Sequence, residues 1–464
     1  MTASAAHASN LQPAIKGWGN SPPLFIQVKT IITVDLGYGD SSKGATVDAL
    51  VRKHNANTVL RYNGASQAGH NVVTNDGVHH LFAQFGAGML VNDGVRSILG
   101  PAMMVDPLSM VIEADALVSK GVNNPLTRSF IHEDCLLITP FHIALNRIKE
   151  AVRNESRHGS CGKGVGETRA YAIKVGDQAP TLLNISNKPT LKLLLERLQI
   201  EMTEQAINTG ADPLLYKEHF ELLKWPIDGL VEAYASFAKQ TNIIDYTRLQ
   251  RMLINDDKPV IAEGAQGVLL DQSHGFHPYN TWSDTTTQEA HNLLAVIGYR
   301  GEVETLGIMR TFATRHGPGP MPTECEKLTT MFNEPHNPFN EFQREFRVGW
   351  LDLAMLRYSL TIQPVDSLAV SHVDWVWKYG NTDAVKVGVR YTKEGKPFEL
   401  TPTPTYRGSQ EVDLERTSDL MVSDVKYEAF DALAILPLIK AFTGVPIAIT
   451  SAGPSYQHRT FFQV

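Results

Sequence analysis

The chain reads as an α/β protein with a large, mainly parallel central sheet flanked by helices and interrupted by long loop excursions. Three observations carry that expectation. Short apolar runs rich in β-branched residues recur along the chain, glycine-rich loops follow several of them, and helical spacing follows the loops. The first run, Phe25–Leu36 (FIQVKTIITVDL), predicts a buried strand. GYGDSSKG follows as a loop, and Ala45–Lys53 (ATVDALVRK) has helical spacing without Gly or Pro. Ala56–Tyr62 predicts a short strand leading into NGASQAGHN. Phe130–Pro140 contains the strand-like LLIT, and Thr190–Asn208 predicts a helix with an apolar face at Leu191, Leu194, Leu195 and Leu198. KPVIA (Lys258–Ala262) predicts a strand feeding EGAQG, and Leu368–Val373 and Val445–Thr450 predict late buried strands. The Pro/Gly-rich stretches Gly317–Pro322 and Pro335–Pro338 read as loops inside the domain. Residues 1–27 read as a flexible N-terminal extension and 28–464 as a single domain.

Composition narrows the function. The hydrophobic fraction of 43% supports a large core, and the net charge of −7 lacks the basic footprint of a nucleic-acid binder. Three dispersed cysteines, Cys135, Cys161 and Cys325, suggest neither a disulfide framework nor a zinc site, which fits a reducing cytoplasm. No apolar run reaches the roughly 18 residues of a membrane span, and the N-terminal stretch lacks the apolar core of a secretory signal.

Gly37–Gly44 places backbone N–H groups and Lys43 at a helix start, where a phosphate can sit. The spacing is P-loop-NTPase-like, but Ser42 replaces the last glycine of that pattern and Gly44 replaces its magnesium-binding Ser/Thr. Asp40 would repel phosphate unless it binds magnesium or takes a proton. His70, after Ala68 and Gly69 in a post-strand loop, can act as an acid or electrophile. Gly159–Gly166 offers a second anion cradle with Lys163 as its charge.

EGAQGVLLD (Glu263–Asp271), HGFHPYNT (His274–Thr281), TRHGPGPMPTE (Thr314–Glu324) and RVGWLD (Arg347–Asp352) follow in order. Together with the first loop, Ala68-Gly69-His70, Gly159–Gly166 and Ser451–Pro454, they resemble the adenylosuccinate synthetase family from about residue 28 to the C-terminus. The resemblance implies a homodimeric ligase that phosphorylates the 6-oxygen of a purine nucleoside monophosphate, IMP, with GTP. L-aspartate then displaces the phosphate. It implies catalytic Asp40 and His70, with magnesium (Mg2+) on Asp40 and the Gly69 carbonyl. It implies donor-nucleotide binding by Gly39, Lys43, Gly44, Asp374, Ser451 and Gly453. Purine-nucleotide binding falls to Ser160, Cys161, Gln266 and Thr281, and aspartate binding to Arg344 and Arg347. Arg169 is the candidate for the arginine that a neighbouring subunit sends to the 5′-phosphate.

The sequence departs from the family pattern at ligand positions. GDEGKGK reads GDSSKGA, Gln67 stands for Asn, Cys161 for Thr, Lys163 for Arg and His372 for Lys. The arginine-rich aspartate segment is thinned to Arg344-Glu-Phe-Arg347. ATP therefore competes with GTP as the expected donor. GMP or dGMP competes with IMP as acceptor, as in the phage 2-aminoadenylosuccinate synthetases. A non-catalytic purine-nucleotide sensor and a plain triphosphatase are the readings of other classes.

Overall fold

The computed structural model describes residues 28–332, 341–380, 384–402 and 410–463. The expected extension 1–27 and the loop Pro335–Pro338 lie outside them. Ten strands form the central sheet: β1 (Thr30–Asp35), β2 (Thr58–Arg61), β3 (Arg96–Leu99), β4 (Ser129–His132), β5 (Asn242–Ile244), β6 (Val260–Glu263), β7 (Val303–Arg310), β8 (Ser367–Ser371), β9 (Ile447–Ser451) and β10 (Arg459–Phe461). Their order is β10-β9-β8-β7-β1-β6-β2-β3-β4-β5. Every neighbouring pair is parallel except β9 with β10.

Period-two alternation explains why the inner strands read as continuous apolar runs. Ile31, Val59, Leu99, Ile131 and Ile261 pack into the core on one face. Ile32, Leu60, Ile98 and Ala262 pack against Leu249, Leu293 and Leu294 on the other. Both faces of a parallel sheet are covered, so no polar face interrupts the run.

Differences from the sequence reading have local causes. The strand in the segment 130–140 is Ser129–His132; LLIT supplies a two-residue pairing of Leu136–Leu137 with Met104–Val105. Thr139 then caps the helix Pro140–Arg153, which ends the extended run. Val373 belongs to the helix Val373–Gly380 rather than to β8.

The chain starts at β1 in the middle, runs outward through β2 to β5, returns to β6 beside β1, and then runs the other way from β7 to β10. The order reverses at β1, flanked by β6 and β7. In open parallel sheets ligands bind outside the carboxyl ends of strands at such a reversal.

Candidate active site

The loop after β1 folds around a buried carboxylate. Asp35 Oδ1 accepts from Gly37 N (2.7 Å) and Ser41 Oγ (3.0 Å). Its Oδ2 accepts from Ser41 N (2.9 Å) and from Lys43 Nζ (3.0 Å), a buried ion pair. Lys43 also donates to the Gly39 carbonyl. Helix α1 (Lys43–His54) begins here, after Ser42 in the left-handed region (φ 73°) and without a side-chain cap. The first-turn N–H groups of a helix lack intrahelical partners and suit an anion. A Cβ on Gly44 would lie 2.8 Å from the His70 backbone and Cβ, which explains the missing P-loop Ser/Thr at this position.

His70 is fixed from the far side of the sequence. Its Nδ1 lies 2.5 Å from Glu263 Oε1, and Glu263 Oε2 accepts from Ala87 N at 2.9 Å. Burial pulls the imidazole pKa down against the opposing pull of Glu263. Burial pushes the Glu263 carboxyl up, but His70 and Arg61 outweigh it and the net direction is down. The two directions agree on a neutral ring whose Nδ1–H donates to an ionised carboxylate. His70 Nε2 is buried with no hydrogen-bond partner among the described residues.

Two cavities open on this junction. One, of about 250 Å³, is lined by Lys43, Gly44, Asp374, Ser451 and Gly453, with Trp375. The other, of about 410 Å³, is lined by Ser160, Cys161, Gln266 and Thr281, with Gln67 and His316. Gly39, Asp40, Gly69 and His70 line both. The expected donor, acceptor and reacting residues thus sort onto two chambers and the wall between them. Both amide atoms of Gln67 are buried without a hydrogen-bond partner among the described residues. Gly267 seats the Gln266 turn against the first loop, because a Cβ there would lie 2.1 Å from the Gly37 carbonyl.

A family model described as adenylosuccinate synthetase matches residues 32–460. The chain belongs to the adenylosuccinate synthetase family. An adenylosuccinate synthetase from Francisella tularensis is 29% identical over 94% of this chain and 99% of its own. One from Thermoplasma acidophilum is 30% identical over 81% of each chain. Among solved structures, a fully ligated adenylosuccinate synthetase from Plasmodium falciparum shares the fold at 21% identity, with a TM-score of 0.77 over 94% of this chain and 100% of that one. The succinoaminodeoxyadenylate synthetase of cyanophage S-2L, bound to dGMP and dATP as an energy donor, shares it at 15% identity, with a TM-score of 0.58 over 94% of this chain and 97% of that one. This adenylosuccinate synthetase-family chain is therefore a nucleotide-dependent ligase that condenses aspartate with a purine nucleotide.

Within that family frame, several side chains depart from simple expectation. The Gly159–Gly166 cradle has many of its N–H groups satisfied internally. Gly159 N and Ser160 N donate to Glu150, Gly162 N to Ser160 Oγ, and Gly164 N to Asn146 Oδ1. Burial pushes the Cys161 thiol up, so it stays protonated. His372 takes the lysine position but is no cation: burial drives its pKa well down, and its ring stands against Phe312. Asp374 pairs with Lys378 at 3.2 Å. Neither Arg344 nor Arg347 lines the two cavities. Arg344 lies 3.5 Å from Glu155, next to the cavity-lining Gln343. Arg347 donates to the Gly317 and Gly319 carbonyls and to Glu324. Arg169 adjoins the cavity-lining Ala170.

Sequence reasoning missed Asp35, the Glu263 partner of His70, and the buried Arg315, whose guanidinium stacks 4.2 Å over the Tyr38 ring. Asp35 closes an apolar run, an unusual place for a carboxylate, and that signal was readable. No local signal ties Glu263 to His70. Among the described residues no three His, Cys, Asp or Glu side chains cluster to cage a metal. Asp40 and Gly69 stand together on the wall shared by the two cavities. No helix among the described residues is long and apolar enough to cross a membrane.

Proposed function

We propose that the protein transfers the γ-phosphoryl group of GTP to the 6-oxygen of IMP and then lets L-aspartate displace it, giving adenylosuccinate, GDP and phosphate. The observation that carries this reading is the wall of Asp40, Gly69 and His70 common to both cavities. Phosphoryl transfer needs donor and acceptor in line at one point, and little else from the protein beyond positioning and charge stabilisation. Asp40 is the base: the N1–H bond breaks, the proton passes to its carboxylate, and the 6-oxygen attacks the γ-phosphorus as the bond to GDP breaks. His70 Nε2 faces the transfer. Phosphate charge entering beside it raises its proton affinity, and Glu263 on Nδ1 supports the resulting imidazolium. In the second step the aspartate amine bonds to C6, the C6–O bond to phosphate breaks, and the nitrogen gives up one proton to the departing phosphate.

Gly39, Lys43, Gly44, Asp374, Ser451 and Gly453 take the donor, and Ser160, Cys161, Gln266 and Thr281 the purine nucleotide. Arg344 binds the amino acid, with Arg347 holding the 317–319 carbonyls that shape its approach. Magnesium, when bound, would be held by Asp40 and the Gly69 carbonyl and would draw charge from the donor phosphates. Residues 28–464 act as one domain, supported by a sheet whose strands run from Thr30 to Phe461, with 1–27 as an extension. The active form is a cytoplasmic homodimer.

A second reading keeps the chemistry and changes the purines: dGMP or GMP as acceptor and ATP as donor, giving 2-aminoadenylosuccinate. His372, standing where the family's guanine-reading segment has a lysine, favours it, because the side chains of that segment differ from the GTP-binding pattern. The deciding experiment offers IMP, dIMP, GMP and dGMP, each with GTP or ATP, with and without L-aspartate. Succinyl-purine nucleotide and NDP should form in equal amounts and only with aspartate. Asp40→Asn should lower kcat by roughly 100-fold while nucleotides still bind. Triphosphate hydrolysis that proceeds equally well without aspartate or acceptor would overturn the ligase mechanism.

A further inference from the structure

The strand Ala313–His316 pairs antiparallel with Phe346–Gly349, and the register sets His316 opposite Phe346. Phe346 lies in the segment where the family concentrates arginines and where this chain keeps two, Arg344 and Arg347. Position 316 is open in the TRxGxGPxPTE pattern and carries no assigned role. The His316 ring rests on Phe346, with centroids 4.8 Å apart. The imidazole lines the acceptor cavity, and its Nε2 stands 3.8 Å from Asp40 Oδ2. That distance is too long for a hydrogen bond. Nδ1 is buried with no hydrogen-bond partner among the described residues. An imidazole therefore stands beside the reacting junction with Nδ1 buried and Nε2 near the Asp40 carboxylate but outside hydrogen-bond distance of it, held by an aromatic ring across the ladder.

Resting on the ligase reading above, we infer that His316 is a binding residue for the amino-acid substrate. Its N–H donates to a carboxylate of L-aspartate as the amine approaches C6, replacing across the ladder a donor that the thinned arginine segment no longer supplies. A neutral imidazole carries one N–H and suffices, so the role does not depend on ring charge. Arg347, which points at the Gly317 and Gly319 carbonyls, fixes the loop that follows His316 and so sets the ring's position. The Asp40 carboxylate on the other side of the gap disfavours a second anion there, which makes a precisely aimed donor more necessary.

The test measures all three KM values and kcat for wild type, His316→Val and His316→Gln. Loss of a hydrogen bond to a charged partner corresponds to roughly 10- to 100-fold. His316→Val should raise the KM for L-aspartate by that factor, leave both nucleotide KM values within about twofold, and weaken competition by succinate, a dicarboxylate lacking the amine, by a similar factor. His316→Gln keeps an N–H donor and should recover most of the aspartate affinity, which a merely structural role would not produce. Circular dichroism checks that both variants are folded. An unchanged aspartate KM in His316→Val, a rise shared by the nucleotides, or no recovery in His316→Gln overturns the inference. Absence of aspartate-dependent product in wild type would instead overturn the ligase reading.

Discussion

His142 is buried in the helix Pro140–Arg153, where its Nδ1 accepts from Thr139 N at 3.2 Å. Burial pushes its pKa down to about 3. The unfolded chain, with a histidine near its ordinary value, takes up a proton as pH falls through about 6.5, and the folded chain does not. Stability contributed by the neutral ring is thus complete above that value and is lost as pH falls toward 3, at up to about 1.4 kcal/mol per pH unit. Urea unfolding of wild type at pH 7 and pH 5 should show this loss, and His142→Gln, which cannot titrate, should show a shallower one. Equal slopes would mean that other groups carry the acid sensitivity. Nothing in the local sequence marks His142. Its state depends on burial, which comes from distant elements. His70 was legible as a chemical residue because it follows Ala68 and Gly69, although it opens the strand His70–Val73 rather than lying in the expected loop, and its partner Glu263 lies 193 residues away. Residue identity is local information, whereas partnership and pKa are not.

At the scale of elements, the loop between β1 and α1 illustrates what sequence patterns convey and what they leave out. Its glycines and Lys43 predict a phosphate loop at a helix start, and the loop leads into α1 at Lys43. The reason for Gly44 was hidden, because it is the close approach of the His70 segment at 2.8 Å. Adding a Cβ there forces α1 and the His70 strand apart. Overpacking of this kind costs about 1–3 kcal/mol. Gly44→Ala should therefore lower the unfolding midpoint in urea and raise the KM for the triphosphate more than that for aspartate. Unchanged values would show that the two segments separate without cost. The strands β1, β2, β6, β8 and β9 were legible as β-branched apolar runs, since both faces are buried. Arg96–Leu99, Asn242–Ile244, Val303–Arg310 and Arg459–Phe461 were missed. Two are only three residues long, and Val303–Arg310 carries Glu304 and Gly307, which blur its pattern. They become strands through their neighbours in the sheet.

The reversal of strand order at β1 gives the whole molecule its two-chamber site. The proposed donor residues Asp374, Ser451 and Gly453 lie after β8 and at the end of β9, on one half of the sheet. Gln266 and Thr281 follow β6 on the other half, and the first loop at β1 serves both. Motif order could not convey this, since the sheet order differs from the chain order. The consequence is that donor choice and acceptor binding should be separable. A carboxylate at position 374 accepts from guanine N1–H and the 2-amino group, whereas adenine offers N1 as a bare acceptor, and a mismatch leaves buried polar groups unpaired. Wild type should accordingly prefer GTP over ATP in kcat/KM, and Asp374→Asn should erode that preference without altering the acceptor KM. Thr281→Val, at the acceptor cavity, should raise the purine-nucleotide KM without altering donor preference. Effects at sites with no shared partners add within about 0.3–0.5 kcal/mol. The double mutant should then show the product of the two single effects to within about twofold. A large departure from that product would mean that the chambers communicate through the Asp40–His70 wall. A wild-type preference for ATP would remove Asp374 from base reading and would favour the dGMP-type assignment.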